Sequence, residues 1–201
     1  MGKVLWVMAG VLAVGILPAR GADVDLRRAA EIVAERCSLC HGAEGASASP
    51  VYPRLAGQHA EYVAKQLADF KSGKRKNETM KPQAESLSET EMTSLGAFFE
   101  SRKTTARKAP DADLAAMGRL IFHKGNRFSG VPACATCHGD RGLGTVRLPR
   151  LAGQHPRYIE DQLKQFTQRE RTNDNAIMHT VASKLTELET NAVAEYIATL
   201  E

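Results

Sequence analysis

The sequence predicts an all-α protein made of two tandem copies of one small domain, and three observations lead there. The segment PRLAGQHAEYVAKQLADF at 53–70 returns as PRLAGQHPRYIEDQLKQF at 149–166. Apolar residues recur at helical spacing in both copies, without an alternating β-branched run or an Asn-Gly hairpin signal. All four cysteines fall in two motifs of one form, CSLCH at 37–41 and CATCH at 134–138.

The chain of 201 residues opens with a basic residue, Lys3, followed by an uncharged run from Val4 to Leu17. That run is shorter than the roughly 20 residues a membrane crossing takes. Small residues at Ala19 and Gly21 follow it, which is the pattern of a secretory signal peptide, 1–21, cleaved before Ala22. The mature chain is expected to be exported and soluble. Its formal charge falls from +4 to +2 once Lys3 and Arg20 leave, too weak a basic excess to indicate nucleic acid. Aromatic residues make up 5% of the chain, a low share for a conventional core, so a non-protein body is expected in the middle.

In the first copy, residues 24–36 place Val24, Leu26, Ala29, Ala30, Val33 and Ala34 on one helical face. After the repeated segment, Tyr62, Val63, Gln66, Leu67 and Phe70 form another. Ser88 with Glu91, and Thr186 with Glu189, are capping-box pairs that start the last helix of each copy. Matching positions are offset by 96 in the repeated segment, 97 at the cysteine motifs and 98 at Leu87 and Leu185. A drift that small means two complete domains with slightly different loops: 22–103 and 113–201, joined by a polar linker at 104–112.

A cysteine pair at this spacing serves three chemistries. A redox dithiol is expected beside a βαβ pattern, which is missing. Structural zinc takes four ligands, and each copy offers two cysteines and one adjacent histidine. Covalent haem attachment uses the set as it stands: Cys37 and Cys40, and Cys134 and Cys137, bond the porphyrin, while His41 and His138 coordinate iron. Two covalently bound haem c groups are therefore expected. They also explain the sparse aromatics, because a domain too small for a self-sufficient core can pack around the cofactor.

The sixth iron ligand separates electron carriage from catalysis. Met80 and Met178, offset by 98, follow His41 and His138 by 39 and 40 residues. Met92 aligns with Thr190 on a helix and reads as core packing, and Met117 lies upstream of its motif. His59, His155 and His179 are rivals better suited to surface or supporting roles. The imidazoles need an acceptor for their second N–H; the carbonyls of Pro53 and Pro149 are candidates, and a loop that only turns the chain is the alternative. The run KSGKRK at 71–76 with Lys81 is either a solvated loop or a ring of charge, including Lys71, Lys74, Arg75 and Lys76, that steers an acidic partner.

The two CxxCH motifs, the duplicated PRLAGQ and the segment RTNDNAIMHTVASKL at 171–185 resemble the dihaem cytochrome c4 family over residues 22–201. The resemblance implies two class I cytochrome c folds related by a pseudo-twofold axis. It implies His41 and Met80 on the first iron, and His138 and Met178 on the second. It further implies a periplasmic electron carrier, with no catalytic residues or small-molecule substrate. Its partners would be redox proteins, a quinol-oxidising complex and a terminal oxidase of the cbb3 type, with any membrane association made through them. A haem subunit of a flavocytochrome that oxidises sulfide, or a dihaem peroxidase, are the rival functions. The chain departs from the family at the helix crossing, where Gly118 and Phe122 face Tyr196 in the second copy but alanines stand in the first. It also departs in charge, with weak polarity between the domains.

Overall fold

The computed structural model describes residues 24–106, 109 and 111–201. The expected signal peptide and part of the expected linker lie outside the described residues. Among these residues there are helices and two isolated β-bridges, Arg75 with Arg171 and Asn126 with Val131. No helix among them is long and apolar enough to cross a membrane.

Helix α1 (Leu26–Ile32) starts where the Asp25 carboxylate accepts the Arg28 N–H at 2.9 Å. It runs through a π-helical turn, Val33–Cys37, directly into α2 (Ser38–His41), the first cysteine motif. α3 (Ala60–Ser72) carries the repeated segment, α4 (Met80–Glu85) opens at a methionine, and α5 (Glu89–Glu100) closes the domain. The second domain repeats the order with α6 (Ala112–Lys124), α7 (Ala135–His138), α8 (Pro156–Thr167), α9 (Ile177–Ala182) and α10 (Glu187–Ala198). Both expected capping boxes form, each serine or threonine hydroxyl and glutamate satisfying two orphan amides.

The first core gathers Ala29, Ile32, Val33, Val63, Leu87, Met92, Leu95, Phe98 and Phe99, with Cys37 packed against it. Met92 is core, as its helical position implied. The expected face of α1 is partly wrong: Val24 and Leu26 are about half exposed and Ala30 is exposed, while Ile32 is buried. The helix begins only at Leu26, and the face that turns inward is Ala29, Ile32 and Val33.

The second core is built around Phe122, Ile159, Val193, Ala194 and Ile197, with Cys134 against it. There α6 crosses α10 so closely that a Cβ on Gly118 would lie 1.9 Å from the Ala192 carbonyl oxygen. Nothing larger than glycine fits. The corresponding α-helix of the first domain has seven residues against thirteen and continues into the π turn.

The pseudo-twofold is written in reciprocal hydrogen bonds between the domains. The Gln154 side chain accepts the Arg54 N–H and donates to the Arg54 carbonyl, both at 2.9 Å. Gln58 does the same to Arg150 at 2.8 and 2.9 Å. Deeper in the interface, Arg75 donates to the Tyr158 hydroxyl at 3.0 Å and Arg171 to the Tyr62 hydroxyl at 2.9 Å. Each guanidinium also donates to the glutamine of its own domain, Arg75 to Gln66 at 2.8 Å and Arg171 to Gln162 at 2.7 Å. Each lies 4.6 Å over its own domain's phenylalanine, Phe70 or Phe166. Two buried like charges are tolerated because rings and polar oxygens stabilise both.

Candidate functional site

Each cysteine motif ends a one-turn helix, and the histidine that closes it is buried: His41 is 6% exposed and His138 7%. The His41 Nδ1–H donates to the Pro53 carbonyl at 2.9 Å, and the His138 Nδ1–H donates to the Pro149 carbonyl at 3.1 Å. A carbonyl only accepts, so the bond fixes the tautomer and leaves Nε2 with its lone pair free to ligate a metal. Burial pushes both imidazoles below the usual range, against the carbonyl bond that raises them. The neutral, coordinating form is the one this setting favours. The Pro53 and Pro149 carbonyls are therefore acceptors, and the repeated loop does more than turn the chain.

The loop is held for that task in the same way in both copies. The His41 carbonyl accepts the Ser47 N–H and the His138 carbonyl accepts the Gly144 N–H, each at 2.8 Å. The Gly45 carbonyl takes the amides of Leu55 and Ala56, and the Gly142 carbonyl takes those of Leu151 and Ala152. Gly144 sits at φ 69°, and a Cβ there would come within 2.4 Å of the Leu148 and Pro149 oxygens. Ser47 takes the equivalent left-handed position at φ 37°. Its strain is offset by hydroxyl bonds to the carbonyls of Cys40 and Ser49.

None of the four cysteines is joined in a disulfide. Burial raises the Cys37 thiol above its ordinary value and pushes Cys134 up to about 11. A redox dithiol needs a depressed pKa, so this setting disfavours that reading. The described residues contain no group of three or more His, Cys, Asp or Glu side chains arranged to hold a metal ion. A thiol packed against the core, a second thiol three residues on and an imidazole pinned through Nδ1 are the donor set that covalent haem requires.

Met80 is the first residue of α4, its N–H capped by the Asn77 side chain at 2.8 Å. Met178 is the second residue of α9, its N–H capped by Asp174 at 2.5 Å. Both are half-buried, unlike Met92, and both occupy the same place in the domain plan. His179 is committed elsewhere: its Nδ1–H donates to the Phe166 carbonyl and its Nε2 accepts from Arg169.

One expectation for the charged run needs correction, and the repeated histidines find their supporting role between the domains. Arg75 is not part of an exposed ring but is 8% exposed in the interface, as is Arg171 at 7%. Lys71, whose Nζ donates to the Leu87 carbonyl, stays exposed together with Lys74, Lys76 and Lys81. His59 and His155 are bridges between domains: His59 Nε2–H donates to the Leu143 carbonyl at 2.8 Å, and His155 Nε2–H to the Ser47 carbonyl at 2.9 Å. The signal was available, since polar residues that return unchanged in a divergent repeat need a polar task.

The family model for cytochrome c matches twice, over residues 26–121 and 115–201. The chain is 41% identical over 165 residues to cytochrome c4 of Thiocapsa roseopersicina, covering 80% of this chain and 85% of that one. The chain belongs to the cytochrome c4 family. Its fold matches the crystal structure of reduced recombinant cytochrome c4 from Pseudomonas stutzeri with a TM-score of 0.84 and 35% identity, over 89% of this chain and 100% of the other. It is also 36% identical over 214 residues to the thiosulfate dehydrogenase electron acceptor of Stutzerimonas stutzeri strain A1501, covering 98% and 96% of the two chains. As in that family, the chain is a dihaem electron-transfer protein, with one haem c bonded through Cys37 and Cys40 and the other through Cys134 and Cys137. Each bound haem supplies a one-electron iron couple, and the protein around it sets ligand field, solvent access and orientation.

Proposed function

We propose that this chain is exported to the periplasm behind a signal peptide, 1–21, and carries electrons from a quinol-oxidising complex towards a terminal oxidase of the cbb3 type. His41 and Met80 serve as axial ligands in the first domain, 22–103. His138 and Met178 serve in the second, 113–201, beyond the linker at 104–112. The observation that carries this reading is the matched pair of imidazoles, each fixed by a proline carbonyl and each followed by a half-buried methionine at the start of a short helix. Two closed sites suit electron transfer and leave no open coordination position for substrate, so the chain itself catalyses no reaction. The interdomain hydrogen bonds support exchange between the sites by fixing their separation.

The likeness to a thiosulfate dehydrogenase electron acceptor favours a second reading, in which a sulfur-oxidising dehydrogenase is the donor. The haem-loaded protein mixed with each candidate donor and a cbb3-type oxidase distinguishes them. Turnover that depends on this chain with the quinol-oxidising complex supports the first reading. Turnover only with thiosulfate dehydrogenase and thiosulfate supports the second, and turnover with neither overturns both.

A further inference from the structure

The second domain carries a segment that the first lacks. In the first domain the helix runs through its π turn straight into Cys37, whereas residues 125–133 separate the end of α6 from Cys134. The segment is a tight turn, closed by the Asn126 N–H to the Val131 carbonyl at 2.9 Å and the Val131 N–H to the Asn126 carbonyl at 3.0 Å. The Asn126 side chain accepts the Phe128 N–H at 2.9 Å and donates to the Glu189 carboxylate at 2.7 Å. From the other side Lys184 Nζ donates to the Gly130 carbonyl at 3.0 Å. Val131 is buried in the core beside Ile121 and Ala192.

What this anchored turn presents is Phe128, 87% exposed, with the Arg127 guanidinium 4.8 Å over its ring. A single exposed apolar residue needs no explanation. An aromatic ring on a turn tied at four points, stacked under an arginine and absent from the sister domain, does. Tyrosine, tryptophan and arginine lead the side chains that anchor protein interfaces, and a rigid ring loses little entropy on docking.

We infer that the Arg127–Phe128 turn is a docking site for a redox protein whose surface offers an apolar pocket rimmed by carboxylates. Charge chooses that partner. Lys124, Arg127 and Lys184 are exposed around the turn, while Glu189 faces inward to Asn126 and Glu187 is the exposed acid on the adjoining first turn of α10. A symmetric second copy would set these cations against their own duplicates. Position argues the same way, because the turn leads through Pro132 and Ala133 into Cys134, so a partner seated there stands beside the second haem attachment. The inference deepens the electron-carrier reading and rests on it.

The test uses haem-loaded protein with two probes, purified cbb3-type oxidase and purified thiosulfate dehydrogenase. With the probe that reacts, Phe128→Ala raises KM about tenfold, the effect of losing an anchor, with kcat at saturation unchanged. Phe128→Trp retains the wild-type KM. Arg127→Glu raises KM at low salt and converges on wild type as ionic strength passes about 0.1 M. Oxidation by ferricyanide, both haem spectra and the unfolding midpoint stay as in wild type for all three. An unchanged KM for Phe128→Ala overturns the docking inference alone. Wild-type protein that reacts with neither probe overturns the carrier reading beneath it. Binding to phosphatidylglycerol vesicles, or dimerisation in sedimentation, that Phe128→Ala abolishes also overturns the inference, in favour of a lipid or a second copy.

Discussion

Removing Arg171 should loosen the whole molecule, although the residue lies outside both cysteine motifs. Its guanidinium donates to Asn173 at 3.1 Å, Gln162 at 2.7 Å, Tyr62 at 2.9 Å and Gln66 at 3.3 Å, and it lies over Phe166. Two of these bonds, to Gln162 and Tyr62, are short and join buried or half-buried partners. A hydrogen bond to a charged group contributes about 1.5–3 kcal/mol, and stranding its acceptors in the interface adds desolvation cost. Arg171→Ala should therefore destabilise by about 3–5 kcal/mol, in the range for breaking a buried charged network. For a chain of this length that is a fall of roughly 6–20 °C in Tm. Arg171→Lys should lose nearly as much, because an ammonium cannot reproduce the planar fork. Arg75→Ala should match it by pseudo-symmetry. The double variant should lose clearly less than the sum, because Gln66 and Gln162 each accept from both arginines. Guanidinium unfolding of the haem-loaded proteins, followed by circular dichroism, gives the comparison. Losses under about 0.5 kcal/mol, or strict additivity, would refute the reasoning.

Gly144→Ala should press the new methyl into the Leu148 and Pro149 oxygens, moving the acceptor of His138, and shift the potential of the second haem alone. Gly73→Ala, at positive φ in open space, should cost stability near 1 kcal/mol and move neither potential; voltammetry reads both. Gly118→Ala should separate α6 from α10 and cost about 1–3 kcal/mol or prevent folding of the second domain, checked by differential scanning calorimetry. The Ser88 N–H, aided by Arg28, holds the Glu91 carboxyl below 4.5, and the Asn126 side chain, aided by Thr186, does the same for Glu189. Both bind fewer protons folded than unfolded, so their stabilisation is full above that value and is lost as pH falls through the depressed range. Glu189→Gln should flatten the acid limb of a stability–pH profile, and a profile unchanged below pH 5 would count against this assignment.

Spacing alone exposed the duplicated plan, because motif, helix and capping box recur at offsets of 96 to 98. The capping boxes formed because their chemistry is local, three residues apart. The proline carbonyls were legible as candidates because an iron-bound imidazole demands an acceptor, but only geometry separates an acceptor from a turn. The interface was hidden in plain view. Arg75 lies among lysines and reads as surface, and nothing local says that a guanidinium will be buried beside Tyr158 from another domain. There burial raises the Tyr158 phenol, while Arg75 and Arg171 together bring it below its ordinary value. The α1 face was misread for a related reason: Val24 and Leu26 stand at the helix start, clear of the core, and alanine fits an exposed or a buried helical face.

The account turns on two equivalent histidine–methionine sites, and near-infrared magnetic circular dichroism of the oxidised protein reads methionine–iron ligation directly. Wild type should give the intensity of two sites per chain, Met80→Ala and Met178→Ala half each, and the double variant none. Met92→Ala should keep full intensity while costing about 2–5 kcal/mol as a core cavity. Full intensity in Met80→Ala with half in Met92→Ala, or one site in wild type, would contradict the account.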